Sequence, residues 1–138
     1  MVKRLVNSPD GQTVEDFDAS ERDWIPPVDW TVRIAATRYD HETKGTTFTH
    51  SDGNTYGIAT DRQSQAMVTG AKVSLNGSTD TVQWKTAQGF VTVDAADMDA
   101  LAKAVRTHVQ AAFDREAELE AKVADGTITR DDLDTGWP

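Results

Sequence analysis

The sequence contains no cysteine, and no apolar run comes near the roughly eighteen residues that a membrane-spanning helix needs. The first absence excludes disulfides, thiolate nucleophiles and the common cysteine-based zinc sites. The second predicts no membrane insertion. The apolar start of the chain, Leu5-Val6, is too short for a signal peptide, and turn-forming residues 7–11 interrupt it. We therefore expect the protein to be made in a cytoplasm and kept there until assembly.

Positive charge is also scarce, because 14 lysines and arginines face 23 acids and give a net charge of −9. Double-stranded nucleic acid is bound by a basic surface, so this balance argues against a nucleic-acid partner. The excess acid lies at the ends: the net charge is −4 over residues 1–30, zero over 31–113 and −5 over 114–138. Acidic ends of this kind are either solvated or dock onto a basic surface of another protein.

These shifts in charge predict three parts: an N-terminal hairpin and acidic docking arm (1–30), a small α+β domain (31–124) and an acidic C-terminal tail (125–138). In the first part, residues 2–6 alternate as a strand, and Ser8-Pro9-Asp10-Gly11 favours a turn back into a short hairpin. Residues 15–29 resemble an extended linker, because acids dominate and two prolines follow one another. Apolar and aromatic side chains in such acidic segments are typical of docking, onto the chain itself or onto a partner. The candidates are Trp24, Ile25, Trp30 and Trp137.

The first helix of the α+β domain is predicted over residues 30–43, with Asp29 as its N-cap. Ile34, Ala35 and Tyr39 would then share one face. A strand is the competing prediction, since apolar residues also alternate between positions 32 and 36. After this helix, residues 46–59 predict a β-hairpin around a Ser-Asp-Gly-Asn turn.

A second helix is predicted from Thr60, because Thr60-Asp61-Arg62-Gln63 has the form of a capping box. Met67 and Ala71 would pack on a sheet. Residues 81–93 then predict a second hairpin, and Asp94 caps the last helix, whose apolar stripe runs through its first half. This helix is predicted to reach residue 124, so that its far half projects into solvent or against a second copy. The order of elements is about α-ββ-α-ββ-α.

Signals for catalysis or metal binding are weak. The serines have no nucleophile-elbow context, and no glycine-rich phosphate loop is present. The residues around Gly126 offer only Asp125 and Asp132 as calcium-loop ligands, so Gly126 is interpreted as a helix C-cap. His50 is expected to be exposed and His108 to be packed through a hydrogen bond. We therefore predict no enzyme activity, no catalytic residue, no cofactor and no metal.

One set of spaced residues resembles a known pattern. Its parts are Gly57-Ile58, Thr60-Asp61-Arg62, Ser64-Gln65, Gly70-Ala71, Trp84-Lys85, Gly89-Phe90-Val91, Asp94-Ala95, His108-Val109-Gln110, Phe113 and Glu116. Over residues 33–123 this pattern resembles an uncharacterised domain family of tail-fibre and tail-fibre-assembly proteins of tailed bacteriophages.

The resemblance implies a setting rather than a mechanism. The motif residues are expected to be structural: Thr60 caps, Arg62 pairs with Asp61 or with a strand carboxylate, and Gln65 satisfies a backbone group. Trp84 is expected to fill the core while Lys85 faces water. Ser64 belongs to the same motif.

The predicted function is that of a structural component of the virion tail, at the tail tip or associated with a fibre, that mediates assembly and host attachment. The alternatives are a tail-fibre assembly chaperone that leaves the particle, and a host-glycan binding module that uses exposed aromatics such as Tyr56, Trp84 or Trp137. The expected partners are other tail proteins and further copies of the chain, with a homotrimer as the first expectation. The candidate oligomer contacts are Phe113, Leu119 and Val123.

Overall fold

The computed structural model describes residues 2–8, 11–17 and 28–138. Strands β1 (Val2–Ser8) and β2 (Gly11–Phe17) form an antiparallel hairpin in which Ser8 pairs with Gly11. The predicted N-terminal hairpin is confirmed, but the second strand is longer than expected and takes residues 15–17 from the predicted linker. Residues 18–27, which include the candidate docking residues Trp24 and Ile25, lie outside the described residues.

The rest of the chain follows the predicted α-ββ-α-ββ-α order and ends in one short additional helix. Antiparallel hairpins pair β3 with β4 and β5 with β6. The elements are α1 (Trp30–Glu42), β3 (Thr46–Thr49), β4 (Thr55–Ile58), α2 (Arg62–Leu75), β5 (Val82–Thr86), β6 (Gly89–Val93), α3 (Ala95–Asp125) and α4 (Arg130–Asp134). The chain is thus a small α+β domain, and the helix prediction for residues 30–43 is confirmed over the strand alternative.

The N-caps of α1 and α3 are the residues predicted from the sequence. The Asp29 carboxylate accepts the Val32 amide at the start of α1, and Asp94 accepts the Asp97 amide at the start of α3. At the other end of α3, Gly126 adopts a left-handed conformation with φ of 72°, which a glycine C-cap permits without strain. The 31 residues of α3 make it about 46 Å long.

The core lies where the two later hairpins and α2 pack against the first half of α3. The two hairpins are joined directly, since the Ala87 amide donates to the Gly57 carbonyl at 2.9 Å and Gln88 accepts the Gly57 amide at 2.8 Å. The fully or nearly buried apolar residues of this core are Phe48, Ile58, Val68, Leu75, Val91, Val93, Met98, Leu101, Ala102 and Val105. Met67, predicted to pack on a sheet, instead faces solvent, because α2 turns Val68 and Leu75 inward.

The second half of α3 does not project, so that expectation was wrong. Helix α1 packs along it, and Arg38 pairs with Glu116 at 3.1 Å while Thr31 donates to Glu120 at 3.2 Å. Leu119 is fully buried inside the chain. A residue that is already buried within its own chain has no surface left for a second copy, which removes Leu119 from the candidate oligomer contacts.

Candidate functional site

A buried carboxylate contacts several residues of the motif noted in the sequence. Glu42, the last residue of α1, has 0% exposure and accepts hydrogen bonds from three side chains. Arg62 Nη2 donates to Oε1 at 2.9 Å, Gln65 Nε2 donates to Oε2 at 2.8 Å, and Arg38 pairs from the preceding turn of α1. Arg62 therefore pairs with a helix carboxylate, not with Asp61 or a strand carboxylate as predicted.

The pKa of Glu42 reflects two opposing effects. Burial raises the pKa because it disfavours the charged form, but hydrogen bonds from Gln65, Arg62 and Arg38 together outweigh it and hold the pKa below its ordinary value. The carboxylate is thus an anion enclosed by donors. Such a group is suited to holding elements together and is poorly placed to exchange protons with a substrate.

Thr60 extends this cluster to the backbone and is not a helix cap. Its hydroxyl donates to the Glu42 carbonyl at 2.6 Å and accepts the Gly45 amide at 2.9 Å. Gln65 Nε2 also donates to the Thr60 carbonyl at 2.7 Å, which confirms that Gln65 satisfies a backbone group. The cap of α2 is Asp61, whose carboxylate accepts the Ser64 amide and hydroxyl at 3.1 and 2.5 Å.

These contacts join the end of α1, the loop before β3 and the start of α2. We call the group of Arg38, Glu42, Thr60, Arg62 and Gln65 the Glu42 cluster. Three of its five members, Thr60, Arg62 and Gln65, belong to the motif noted in the sequence. No local pattern indicates Glu42 or Arg38, because both stand twenty or more residues before Arg62 and Gln65 along the chain.

A groove of about 690 Å³ lies beside the Glu42 cluster, between the two later hairpins and α2. Six of its lining residues belong to the motif noted in the sequence, namely Gly57, Ile58, Ser64, Trp84, Lys85 and Phe90. Trp84 is half-buried against the core, as predicted in part, and Lys85 is exposed. Among the described residues that line the groove are Lys44 and Lys85 but no carboxylate.

The groove is unusually apolar for an open surface. Two of its lining residues are large and exposed, Phe90 by 69% and Met67 by 57%. Ile58 and Trp84 continue the same apolar surface toward the core. No local signal places Met67 and Lys44 in this groove, because only the fold brings the two residues together.

His50 is packed among polar groups, so the expectation that it is exposed was wrong. Its ring is 10% exposed, with Nε2 2.7 Å from the Thr92 carbonyl and 3.1 Å from Asp97 Oδ2. Nδ1 accepts the Asp52 amide at 2.9 Å. The hydrogen bond to the Thr92 carbonyl is the main cause that raises the pKa of His50, ahead of the opposing effect of burial and the favourable charges of Asp97 and Asp52.

The side chains around His50 do not form a nucleophilic pair. The neighbouring Ser51 donates its hydroxyl to Asp97 at 3.0 Å, and its amide to the same carboxylate at 3.1 Å. A serine nucleophile would need its hydroxyl directed at the histidine that accepts the proton. The arrangement anchors the β3–β4 turn to the start of α3.

His108 confirms its predicted role. It is buried, and its Nε2 lies 2.8 Å from the His41 carbonyl, so it joins α3 to α1. Within residues 28–138 and the two N-terminal strands, no group of three or more histidine or acidic side chains is arranged to hold a metal ion. In the same described residues, no helix is long and apolar enough to cross a membrane.

The C-terminal tail docks onto the chain itself. The Trp137 ring stacks on His41 with centroids 5.2 Å apart, and its Nε1 donates to the Leu133 carbonyl at 2.8 Å. Arg115 of α3 donates to the carbonyls of Asp132 and Thr135 at 3.2 and 3.1 Å. The tail is therefore an ordered clip over α1 and α3.

Asp132 fastens the same clip. Its carboxylate accepts from Lys122 Nζ at 2.9 Å and from the Thr129 amide, and these contacts lower its pKa to about 2. Asp132 thus binds a lysine rather than serving as a calcium ligand.

The remaining candidate residues occupy separate places. Trp30 is half-buried as the first residue of α1, and Tyr56 donates its hydroxyl to Asp52 at 2.6 Å. Phe113 is partly exposed beneath the Arg38 guanidinium, 4.5 Å from the ring centroid, and Val123 is half-buried. Tyr39, predicted to share a face with Ile34, is 48% exposed, whereas Ile34 is fully buried.

Comparison with known proteins gives one match. No curated protein and no solved structure matches the chain. The matching family model is described as a domain of unknown function, DUF4376, and it covers residues 27–135. That range takes in the Glu42 cluster, the groove and most of the C-terminal clip, and by this match over most of its length the chain belongs to the DUF4376 family.

Proposed function

We propose that the protein is a non-enzymatic component of the tail of a tailed bacteriophage, at the tail tip or beside a fibre, where it attaches to other tail proteins. The resemblance of residues 33–123 to domains of tail-fibre and tail-fibre-assembly proteins supports the setting. The structural use of Thr60, Arg62 and Gln65 around Glu42 supports a scaffold rather than a catalyst.

The observation that carries this proposal is the apolar groove beside the Glu42 cluster. Small soluble domains rarely leave a continuous apolar surface open to water, and such surfaces are typical of protein interfaces. Phe90 and Met67 are the large apolar side chains that line the groove and are exposed to solvent. The Glu42 cluster fixes the position of α2, and hence of one wall of the groove, so the surface is formed before a partner arrives.

Quantitative mass spectrometry of purified phage particles tests this function. We expect the chain to be present at a fixed ratio to a known tail protein, and a ratio divisible by three would agree with the usual rotational symmetry of such assemblies. Absence from particles, with the chain abundant in infected cells, would refute a virion component.

The groove also favours a second candidate, a tail-fibre assembly chaperone that does not stay in the particle. A chaperone must offer an open apolar surface to an incompletely folded partner, and the groove is such a surface. Affinity purification of the tagged chain from infected cells, early and late in infection, separates the two. The chaperone predicts a complex with fibre protein that disappears as particles mature, while the virion component predicts a complex that persists.

A further inference from the structure

The groove combines two properties that together restrict what can bind it. Its apolar part includes the aromatic side chains of Trp84 and Phe90. Its charged part consists of Lys44 and Lys85, with no carboxylate among the described lining residues, in a chain whose net charge is −9. A complementary ligand therefore carries negative charge next to apolar or aromatic groups, in a form narrow enough to lie along a groove.

We propose that the groove binds residues 18–27 of a second copy of this chain, so that copies are joined by exchange of their N-terminal arms. This contact does not depend on the phage-tail function, because both of its halves are present in the one sequence.

The composition of residues 18–27 matches both parts of the groove. Asp18, Glu21 and Asp23 outnumber the single Arg22 and give the segment a net charge of −2. Next to these acids stands the apolar run Trp24–Pro27, which has the sequence Trp-Ile-Pro-Pro. Consecutive prolines favour the extended polyproline conformation, which binds to aromatic-lined grooves at a small loss of conformational entropy.

The covalent reach of the chain decides between the same copy and a second one. Trp24 stands four residues before Val28, so it can lie at most about 14 Å from that residue's Cα. Helix α1 begins two residues later and is about 20 Å long, and Lys44 follows its far end. The reach of the apolar run from Val28 is thus shorter than the length of α1, which favours the run of a neighbouring copy as the occupant of the groove.

Arm exchange has a consequence for symmetry. The arm of one copy meets the groove of the next, so the contact joins two different surfaces, which forms a closed ring where the rotation between copies closes and an open filament where it does not. A ring of three would satisfy the homotrimer expectation without any use of Leu119, which is already buried within its own chain.

Charge reversal on either side provides the test. One full-length variant carries Asp18→Lys, Glu21→Lys and Asp23→Lys, and the other carries Lys44→Glu and Lys85→Glu. In the first variant a basic arm meets a basic groove, and in the second an acidic arm meets an acidic groove. Mixed together, each arm meets a groove of opposite charge. Sedimentation equilibrium gives the molar mass in each case.

We expect the wild type to be oligomeric, each variant alone to be monomeric, and the equimolar mixture to regain the wild-type mass. The matched control is Lys103→Glu with Arg106→Glu, two exposed positions on α3 outside the groove, which should leave the mass unchanged. The proposal is overturned if the wild type is monomeric at every soluble concentration, or if the variants assemble as the wild type does. It is also overturned if the mixture stays monomeric while both variants keep the wild-type circular dichroism spectrum.

The apolar part of the contact has its own pair of variants. Phe90→Ser in the groove should weaken self-association at least tenfold, because the ring is exposed in the monomer and would be covered in the oligomer. Val73→Ser on α2 removes a side chain of similar exposure outside the groove and should have no effect. Equal effects of the two substitutions would contradict occupancy of the groove.

Discussion

Replacing Glu42 with glutamine tests whether the Glu42 cluster stabilises the domain. The substitution keeps the shape of the side chain but removes the negative charge that pairs with two arginines. It also places the NH2 donor of the new amide against other hydrogen-bond donors. A hydrogen bond to a charged group contributes about 1.5–3 kcal/mol. Arg62 is 56% exposed and regains water when the charge is lost, so its share is at the low end, while Arg38 is only 14% exposed. We expect a loss of about 2–4 kcal/mol in the free energy of unfolding.

Urea denaturation followed by circular dichroism measures this loss, and Glu116→Gln is the matched control. Glu116 pairs with the same Arg38 at 3.1 Å, but it is half-buried on the rim rather than enclosed. Its substitution should therefore cost less than about 1 kcal/mol. Since small domains are stable by about 5–15 kcal/mol, both variants should remain folded and measurable. If Glu42→Gln lowers the free energy of unfolding by no more than Glu116→Gln does, the buried Glu42 carboxylate does not stabilise the domain more than a half-buried carboxylate.

Three further predictions concern pH and the C-terminal clip. Because the pKa of Glu42 is held below its ordinary value of 4.5, its contribution to stability is present above pH 4.5 and is lost as the pH falls through the folded pKa. The difference in free energy of unfolding between wild type and Glu42→Gln, measured by urea denaturation, should therefore shrink on acidification. A difference independent of pH would contradict this. In an NMR titration, the midpoint of His50 should lie above the ordinary pKa of 6.5, because its ring forms a hydrogen bond to a strand carbonyl. The midpoint of His41 should lie below 6.5, because burial and a nearby lysine disfavour its charged form, and the reverse order of the two midpoints would contradict the structure. The stability that His50 contributes is then present below pH 6.5 and lost as the pH rises through its folded pKa. Gly136→Ala should release the clip, because Gly136 has a φ of +80° and an added Cβ would lie 2.6 Å from Arg115 Nε. We expect faster proteolysis of the tail and a shift in tryptophan fluorescence. An unchanged cleavage rate would contradict this prediction.

The sequence predicted the elements well because their signals are local. Asp29, Asp94 and Gly126 act within one helical turn, and the strand alternation of residues 81–93 depends only on neighbouring side chains. The same local view failed at Thr60, where a threonine three residues before a glutamine has the form of a cap. The hydroxyl instead bonds the Glu42 carbonyl, and Asp61 caps the helix. When two adjacent residues can both cap a helix, the local sequence does not show which of them will instead bind a carbonyl that is distant along the chain.

The candidate site depended on contacts that no local pattern contains. Glu42 stands in the polar run Asp40-His41-Glu42, which predicts an exposed helix end, yet partners 20 and 23 residues later enclose it. Leu119 has few apolar neighbours in its own part of α3, so the sequence predicted a projecting helix. Helix α1, more than seventy residues earlier in the chain, packs along this part of α3. The local sequence patterns did not predict which helices pack against each other.

The pairing of α1 with α3 also has a consequence for the order in which the chain folds. The contacts between these helices join residues separated by 67, 78 and 89 positions, whereas the two hairpins close over a few residues each. Loop closure over such separations is slow relative to local pairing, so we expect the hairpins, α2 and the first half of α3 to assemble before α1 docks. The Glu42 cluster then closes last, and the pairing of Arg38 with Glu116 makes α1 and the far half of α3 one cooperative unit. Native-state hydrogen exchange should show their amides opening together, at a lower free energy than those of the core, and separate openings would contradict this order.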